Sequence, residues 1–172
     1  MPTQVRIDDM QSDAIASKGV FRLCDSPLIG PYLSKCSNAK PDAKSISYPG
    51  WVQTRSSGDT TFTLEGVTCG PTDNVASIWS TIDVDIDIFM HKCIETIKTN
   101  ICHLKNQNMA TQKDLTNITL ALEGSSLYLQ AIMFGTSSRY KVLISFREDY
   151  FDYKCFSIEY EHSQLVNFGL ST

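Results

Sequence analysis

The residues of this chain best suited by type to chemistry are three histidines, His91, His103 and His162, and an acidic triplet, Asp83, Asp85 and Asp87. A histidine that moves protons has to be held against a nucleophile or a carboxylate. Hydrolases often show that arrangement locally, as a Gly-x-Ser-x-Gly elbow or a His-Glu-x-x-His pair, and neither motif occurs here. His91 and His103 fall in or beside a segment whose periodicity fits helix or strand, and His162 sits beside a turn, so all three read as surface or hydrogen-bonded residues. The aspartates have the alternate spacing that opens a calcium loop. The sixth loop position, where glycine makes the turn, is however Ile88, and the twelfth is Ile94 instead of glutamate. They read as the solvated side of a strand. There is no glycine-rich phosphate loop either. No catalytic residue, metal ligand or cofactor is assigned, and the chain reads as a binding protein and not as an enzyme.

The six cysteines, Cys24, Cys36, Cys69, Cys93, Cys102 and Cys155, are scattered and even in number, and none forms the close Cys-x-x-Cys pair typical of zinc sites. Three disulfides are the simpler account, at least two of them tying the front half to itself or to the rest. Disulfides place a protein in an oxidising, secreted setting. Asn117-Ile118-Thr119 is a glycosylation triplet that points the same way. The chain has 172 residues, 42% of them hydrophobic, with 15 Lys and Arg against 19 Asp and Glu and a net charge of −4. Length and composition fit one domain, 1–172, with a complete core. Mild acidity without any basic run makes nucleic acid a poor partner. No stretch reaches the ~20 apolar residues of a membrane helix, so no membrane span is expected. No charged-then-apolar leader opens the chain, so a secreted protein would stand here in mature form behind a new initiator Met.

Any site must be positioned by short strands, because from Leu115 to Leu170 the sequence reads as five of them in succession. Thr116, Ile118, Leu120 and Leu122 alternate with Asn117, Thr119 and Glu123, and Leu127, Leu129, Ala131 and Met133 alternate with Tyr128 and Gln130. Tyr140, Val142, Ile144 and Phe146 alternate with Lys141, Ser145 and Arg147. Phe156, Ile158 and Tyr160 alternate with Ser157, Glu159 and Glu161, and Val166, Phe168 and Leu170 with Asn167 and Ser171. Period two means half-buried strands with one greasy and one wet face. Ahead of this meander, Trp51 and Val52, a turn at Ser56–Asp59 and a return from Thr60 to Cys69 read as a hairpin. Ile82, Val84, Ile86 and Ile88 alternate with the aspartates and read as a further strand. Over residues 89–112, Cys93, Ile94, Ile97, Ile101 and Leu104 fit a helical stripe, while the β-branched residues leave a strand open. Residues 1–49 read as a loop-rich segment broken by Pro27, Gly30, Pro31, Pro41 and Pro49, and 50–172 as the β body.

The run Tyr140–Tyr153, with Asp149, Tyr150 and Tyr153 spaced as Asp-Tyr-x-x-Tyr, and the ending Leu170-Ser171 resemble conserved regions of the lipocalin family. Gly50-Trp51 is the counterpart of the family's opening Gly-x-Trp, without the spacer. The resemblance implies an all-β fold, an antiparallel up-and-down β-barrel of ~8 strands with one segment left as helix or strand. It places Leu129, Ala131, Met133, Tyr140, Val142, Ile144, Phe156, Tyr160 and Phe168 around an interior that binds a small apolar or amphipathic ligand, with the phenols of Tyr140 and Tyr160 orienting it. The expected function is then a secreted carrier of a small hydrophobic ligand. The alternative is a secreted or viral β-rich recognition domain with a solid core that binds another protein through loops or a sheet face. Strict alternation supports the two equally.

Overall fold

A computed structural model describes residues 2–17, 20–35, 50–106, 110–123, 127–147 and 155–171, the Lys105 side chain excepted. In chain order the elements are β1 (Gln4–Val5), α1 (Ile7–Ala16), β2 (Arg22–Ser26), β3 (Gly30–Ser34), β4 (Trp51–Ser57) and β5 (Thr60–Gly66). There follow α2 (Asp73–Asp83), α3 (Ile86–Asn106), α4 (Gln112–Glu123), β6 (Leu127–Phe134), β7 (Arg139–Phe146), β8 (Cys155–Glu161) and β9 (Gln164–Ser171). The strands form one sheet in the order β2-β3-β4-β5-β6-β7-β8-β9, with β1 paired to β4. Among the described strands only β5 and β6 pair in parallel. A parallel pair needs a long crossover, and α2, α3 and α4 supply it. With β2 and β9 at opposite ends the sheet is open and mixed, and with four helices packed beside it the expected all-β barrel is overturned.

The error lies in two segments whose apolar residues satisfy both periods. Residues four apart share a face in a strand and in a helix alike. Ile82 and Ile86 are buried as the strand reading requires, but Val84 and Ile88, which it also put inside, are 71% and 54% exposed. The helical stripe is instead Val75, Trp79 and Ile82 on α2, then Ile86, Cys93, Ile97 and Leu104 on α3. Likewise α4 buries Ile118 and Ala121 and leaves Leu120 out. Caps decide the matter locally. The Thr72 hydroxyl accepts from the Val75 N–H at the start of α2, and Asp85 accepts from the N–H groups of Asp87 and Ile88 at the start of α3. Before α4, Thr111 and Asp114 satisfy each other's backbone N–H groups in a capping box. The aspartate triplet is thus a helix junction and not the wet side of a strand, and among the described residues no three His, Cys, Asp or Glu side chains gather as a metal site would require. Residues 89–106 are helix, and α1 and β1 to β3 lie in the segment read as loop.

From β6 to β9 the strands do form the expected meander, and the helices cover one of its faces. Val142 and Ile144 on β7, Phe156 and Ile158 on β8 and Ile132 on β6 are fully buried there, in one cluster with Ile97, Leu104 and Ile118 from the helices. A row of rings crosses the same face: Trp51 stacks on Phe134, Phe134 lies against Tyr140, and Tyr140 stacks on Tyr160 with centroids 5.3 Å apart. The row passes β5 at Gly66, where any side chain would overlap the Trp51 indole.

The β4 end of this face carries a charge. Arg55 is buried beneath α2, 5.0 Å from the Trp79 ring, with Asp83 at 3.6 Å. Its guanidinium also donates to Gln53 Oε1, the Ile29 carbonyl and Thr3, and the Gln53 amide donates to the carbonyls of Ile29 and Pro31. Asp83 accepts in turn from the Thr3 N–H and hydroxyl. Burial weakens the hold of Arg55 on its proton and Asp83 strengthens it, with burial prevailing. A buried charge is tolerated when its donors are all answered, and this one ties the N-terminal segment, the β2–β3 turn and α2 to β4.

The disulfide framework is also corrected. Cys24, Cys93, Cys102 and Cys155 are free thiols, and no two described cysteines lie at bonding distance. Cys69 is not a free thiol and Cys36 lies outside the described residues, so the chain can hold one bridge at most and neither three nor two. The helices fill a core large enough to dispense with such staples. The argument for secretion keeps the Asn117 triplet, which sits on α4, and at most one bridge through Cys69. No helix among the described residues is long and apolar enough to cross a membrane.

Candidate functional site

Of the nine residues expected to line a ligand space, Leu129, Tyr140, Val142, Ile144, Phe156, Tyr160 and Phe168 come together on the helix-covered face as core. An open sheet gives them no barrel interior to enclose. Burial, reinforced by the neighbouring Cys93, raises the Tyr140 phenol to about 12 and raises Tyr160 as well. Burial likewise pushes the Cys93 thiol up to about 12. All three groups stay neutral at physiological pH and pack as core.

Ala131 and Met133 face the other way. A β-bulge between Leu129 and Ala131 inserts one extra residue in β6. From there on Ile132 and Phe134 take the inward positions opposite Val142 and Tyr140, and Met133 stands outward opposite Lys141. Neither Ala131 nor Met133 belongs to the core cluster. The turn Asp149-Tyr150-x-x-Tyr153, which carries most of the lipocalin resemblance, lies outside the described residues, and Leu170-Ser171 ends β9.

Met133 belongs to a row that crosses the open face. The register places Glu65 of β5 beside Met133, Met133 beside Lys141 of β7, Lys141 beside Glu159 of β8 and Glu159 beside Asn167 of β9. At the end of the sheet where the β6–β7 turn rises, a cleft of about 480 Å³ opens against this row. Val67, Met133, the turn Gly135–Ser137 and the edges of Phe134 and Tyr140 at the end of the sheet make its apolar and backbone walls, and Arg139, Lys141 and Glu159 its charged rim. Arg139 Nη2 is 2.8 Å from Glu159 Oε2 and Lys141 Nζ is 3.4 Å from Oε1, so one carboxylate answers two cations. Partial burial pushes Glu159 up, but the bonds from Arg139 and Lys141 outweigh it and hold the carboxyl below its ordinary range. Glu65 behaves in the opposite way. Burial raises it, and among the described residues its Oε1 accepts from the Thr63 hydroxyl alone, at 3.1 Å.

A serine and a histidine meet near this rim. The hydroxyl of Ser138 lies 3.2 Å from Nε2 of His162, and the turn His162-Ser163 has positive φ at both residues, 50° and 64°. His162 is exposed and Ser138 half-buried, and among the described residues no carboxylate orients the imidazole, so the pair ties two hairpin tips together and lacks the third member of a hydrolytic triad. A second opening, about 80 Å³ between Phe62, Met90, Leu127 and Arg147 at the other end of the sheet, is too small for more than a side chain.

The wet parity of Lys141 and Glu159 was visible in the sequence. Glu65 was not, because its place beside Met133 depends on a parallel pairing between strands separated by three helices. A scan of family models, a search of curated proteins and a search of solved structures each find no match to the chain.

Proposed function

We propose that this chain is a recognition module that binds a segment of another polypeptide on the open face of β5 to β8, in the cleft beside the β6–β7 turn. The observation that carries the reading is the cleft itself: an opening of about 480 Å³, within the roughly 300–1,000 Å³ of specific binding sites, floored by Met133 and rimmed by Arg139, Lys141 and Glu159. Apolar burial against Met133 and Val67 supplies attraction, and the rim charges select what enters. Methionine suits such a floor, since its unbranched thioether adapts to the shape it meets. The helix-covered face is a filled core, which supports a surface site over an interior one.

The reading is tested by photo-crosslinking in the native source. A photoreactive amino acid at Thr136, on the cleft wall, should attach to a discrete partner, and Met133→Glu should abolish the attachment while the same probe at Asp13 on α1 yields none. Equal labelling from both positions, or labelling that survives Met133→Glu, would remove the cleft as the binding site.

A further inference from the structure

Glu65 is a half-buried carboxylate on the open face. It lies directly across from Met133 and two residues before Val67, both of which line the cleft. Among the described residues no Lys, Arg or His pairs with it, and its hydrogen-bond partner is the neutral Thr63 hydroxyl. Glu159, three strands away in the same row, takes both Arg139 and Lys141, so neither cation is left for Glu65. Withdrawing a carboxylate from water without a counter-charge is unfavourable, and a cation brought in by a partner would remove that cost. The net charge of −4 draws cationic partners toward the chain at long range. Resting on the recognition reading above, we infer that Glu65, on the strand beside the cleft floor, determines specificity there and that the bound segment presents a Lys or Arg side chain to it, next to an apolar residue seated on Met133.

The apolar floor and the carboxylate lie on adjacent strands in register, and neighbouring strands are about 4.8 Å apart. A basic and an apolar side chain two positions apart on an extended segment span a comparable distance on one face. Arginine fits well, since its planar fork can take both oxygens of one carboxylate.

The test is a labelled array of extended hexapeptides in which Arg or Lys lies two positions from Leu, Ile, Met or Phe, each with matched norleucine and Glu versions. The basic peptides should bind the intact chain about tenfold or more tighter than their norleucine matches, as expected for a hydrogen bond to a charged group. Glu65→Gln should abolish that preference without lowering the melting temperature. A preference for basic peptides that persists in Glu65→Gln overturns the inference. Apolar peptides that bind, are blocked by Met133→Glu and show no basic preference overturn it too, while leaving the recognition reading standing. Binding of no peptide at all fails both. Agmatine, a free arginine-like cation, should bind far more weakly than the Arg peptides, and equal affinity would overturn the polypeptide as occupant.

Discussion

The two faces of β6 to β8 are built by the same three strands, residue by alternate residue, and they differ in what covers them. On one face Ile132, Val142, Ile144, Phe156 and Ile158 are fully buried under α3 and α4. On the other, Met133, Lys141 and Glu159 line a cleft and keep contact with water. Alternation alone cannot say which of two such faces works, since greasy residues suit a ligand space and a packed core equally. The covering layer decides. Three helices inserted between two parallel strands convert the face expected to bind a ligand into core and leave the cleft to the other face.

The largest break in this comparison is a charge placed on the covered face. Ile144→Asp buries a carboxylate with no partner and should cost about 4–5 kcal/mol, enough to unfold an ordinary domain. Lys141→Asp, three residues away on the open face, gives up a partly exposed ion pair and sets a second carboxylate beside Glu159, and should still cost only about 1–2 kcal/mol. Urea denaturation of both variants checks the pair, and similar midpoints would show that the faces are wrongly assigned.

A smaller effect is expected where the covered face already holds a charge. Arg55→Ala leaves Asp83 and Gln53 without their cation and donor, and losing one partner from such a buried network costs about 3 kcal/mol or more. Arg55→Met also deletes the charge but keeps the stem over Trp79, and should recover part of the loss. If Arg55→Ala melts within a degree or two of the parent chain, the node contributes only geometry.

How far these elements could be read in advance depended on whether one period alone fitted. β7 and β8 carry long alternating runs that no helix satisfies, and the Gly58-Asp59 turn marks the β4–β5 hairpin, so these were legible. Ile118/Leu122 in α4 and Ile82/Ile86 across the α2–α3 junction fit both periods, and the signals that separate them are caps: Thr72 before Asp73, Asp85 before Ile86, and Thr111 with Asp114. Those capping residues are present in the sequence, and they weigh more than the alternation did. The site was less legible. No glycine marks the bulge that turns Met133 outward, and Glu65 reaches Met133 only through a pairing across more than sixty residues, which local pattern cannot supply.

The bulge gives the next prediction. With Met133 on the open face, Met133→Trp should change stability by less than about 0.5 kcal/mol, as surface substitutions do, while filling the cleft. Were Met133 inside the core, the same change would overpack it and cost about 1–3 kcal/mol. Thermal melting distinguishes the two, and a large loss would return Met133 to the covered face.

The finest distinction lies within the open face itself, between Glu65 and Glu159. Glu159 has a depressed folded-state value, so its ion pairs add stability that is fully present above the unfolded carboxylate value of about 4.3 and is lost as pH falls through its lower folded value. Glu65 has a raised folded-state value, so its charged form carries a penalty that is present above that raised value and disappears as pH falls through it toward about 4.3. Glu159→Gln should therefore be less stable than the parent at pH 7, by under about 1 kcal/mol given its partial exposure, with the deficit closing in acid below pH 4. Glu65→Gln should be more stable at pH 7, with the advantage closing at higher pH than the Glu159 deficit does. Stability measured by urea titration from pH 3 to pH 7 gives both differences, and they should have opposite signs. Differences of the same sign would mean that Glu65 already has a cation in the free chain, and the open face would then offer a partner no unanswered charge.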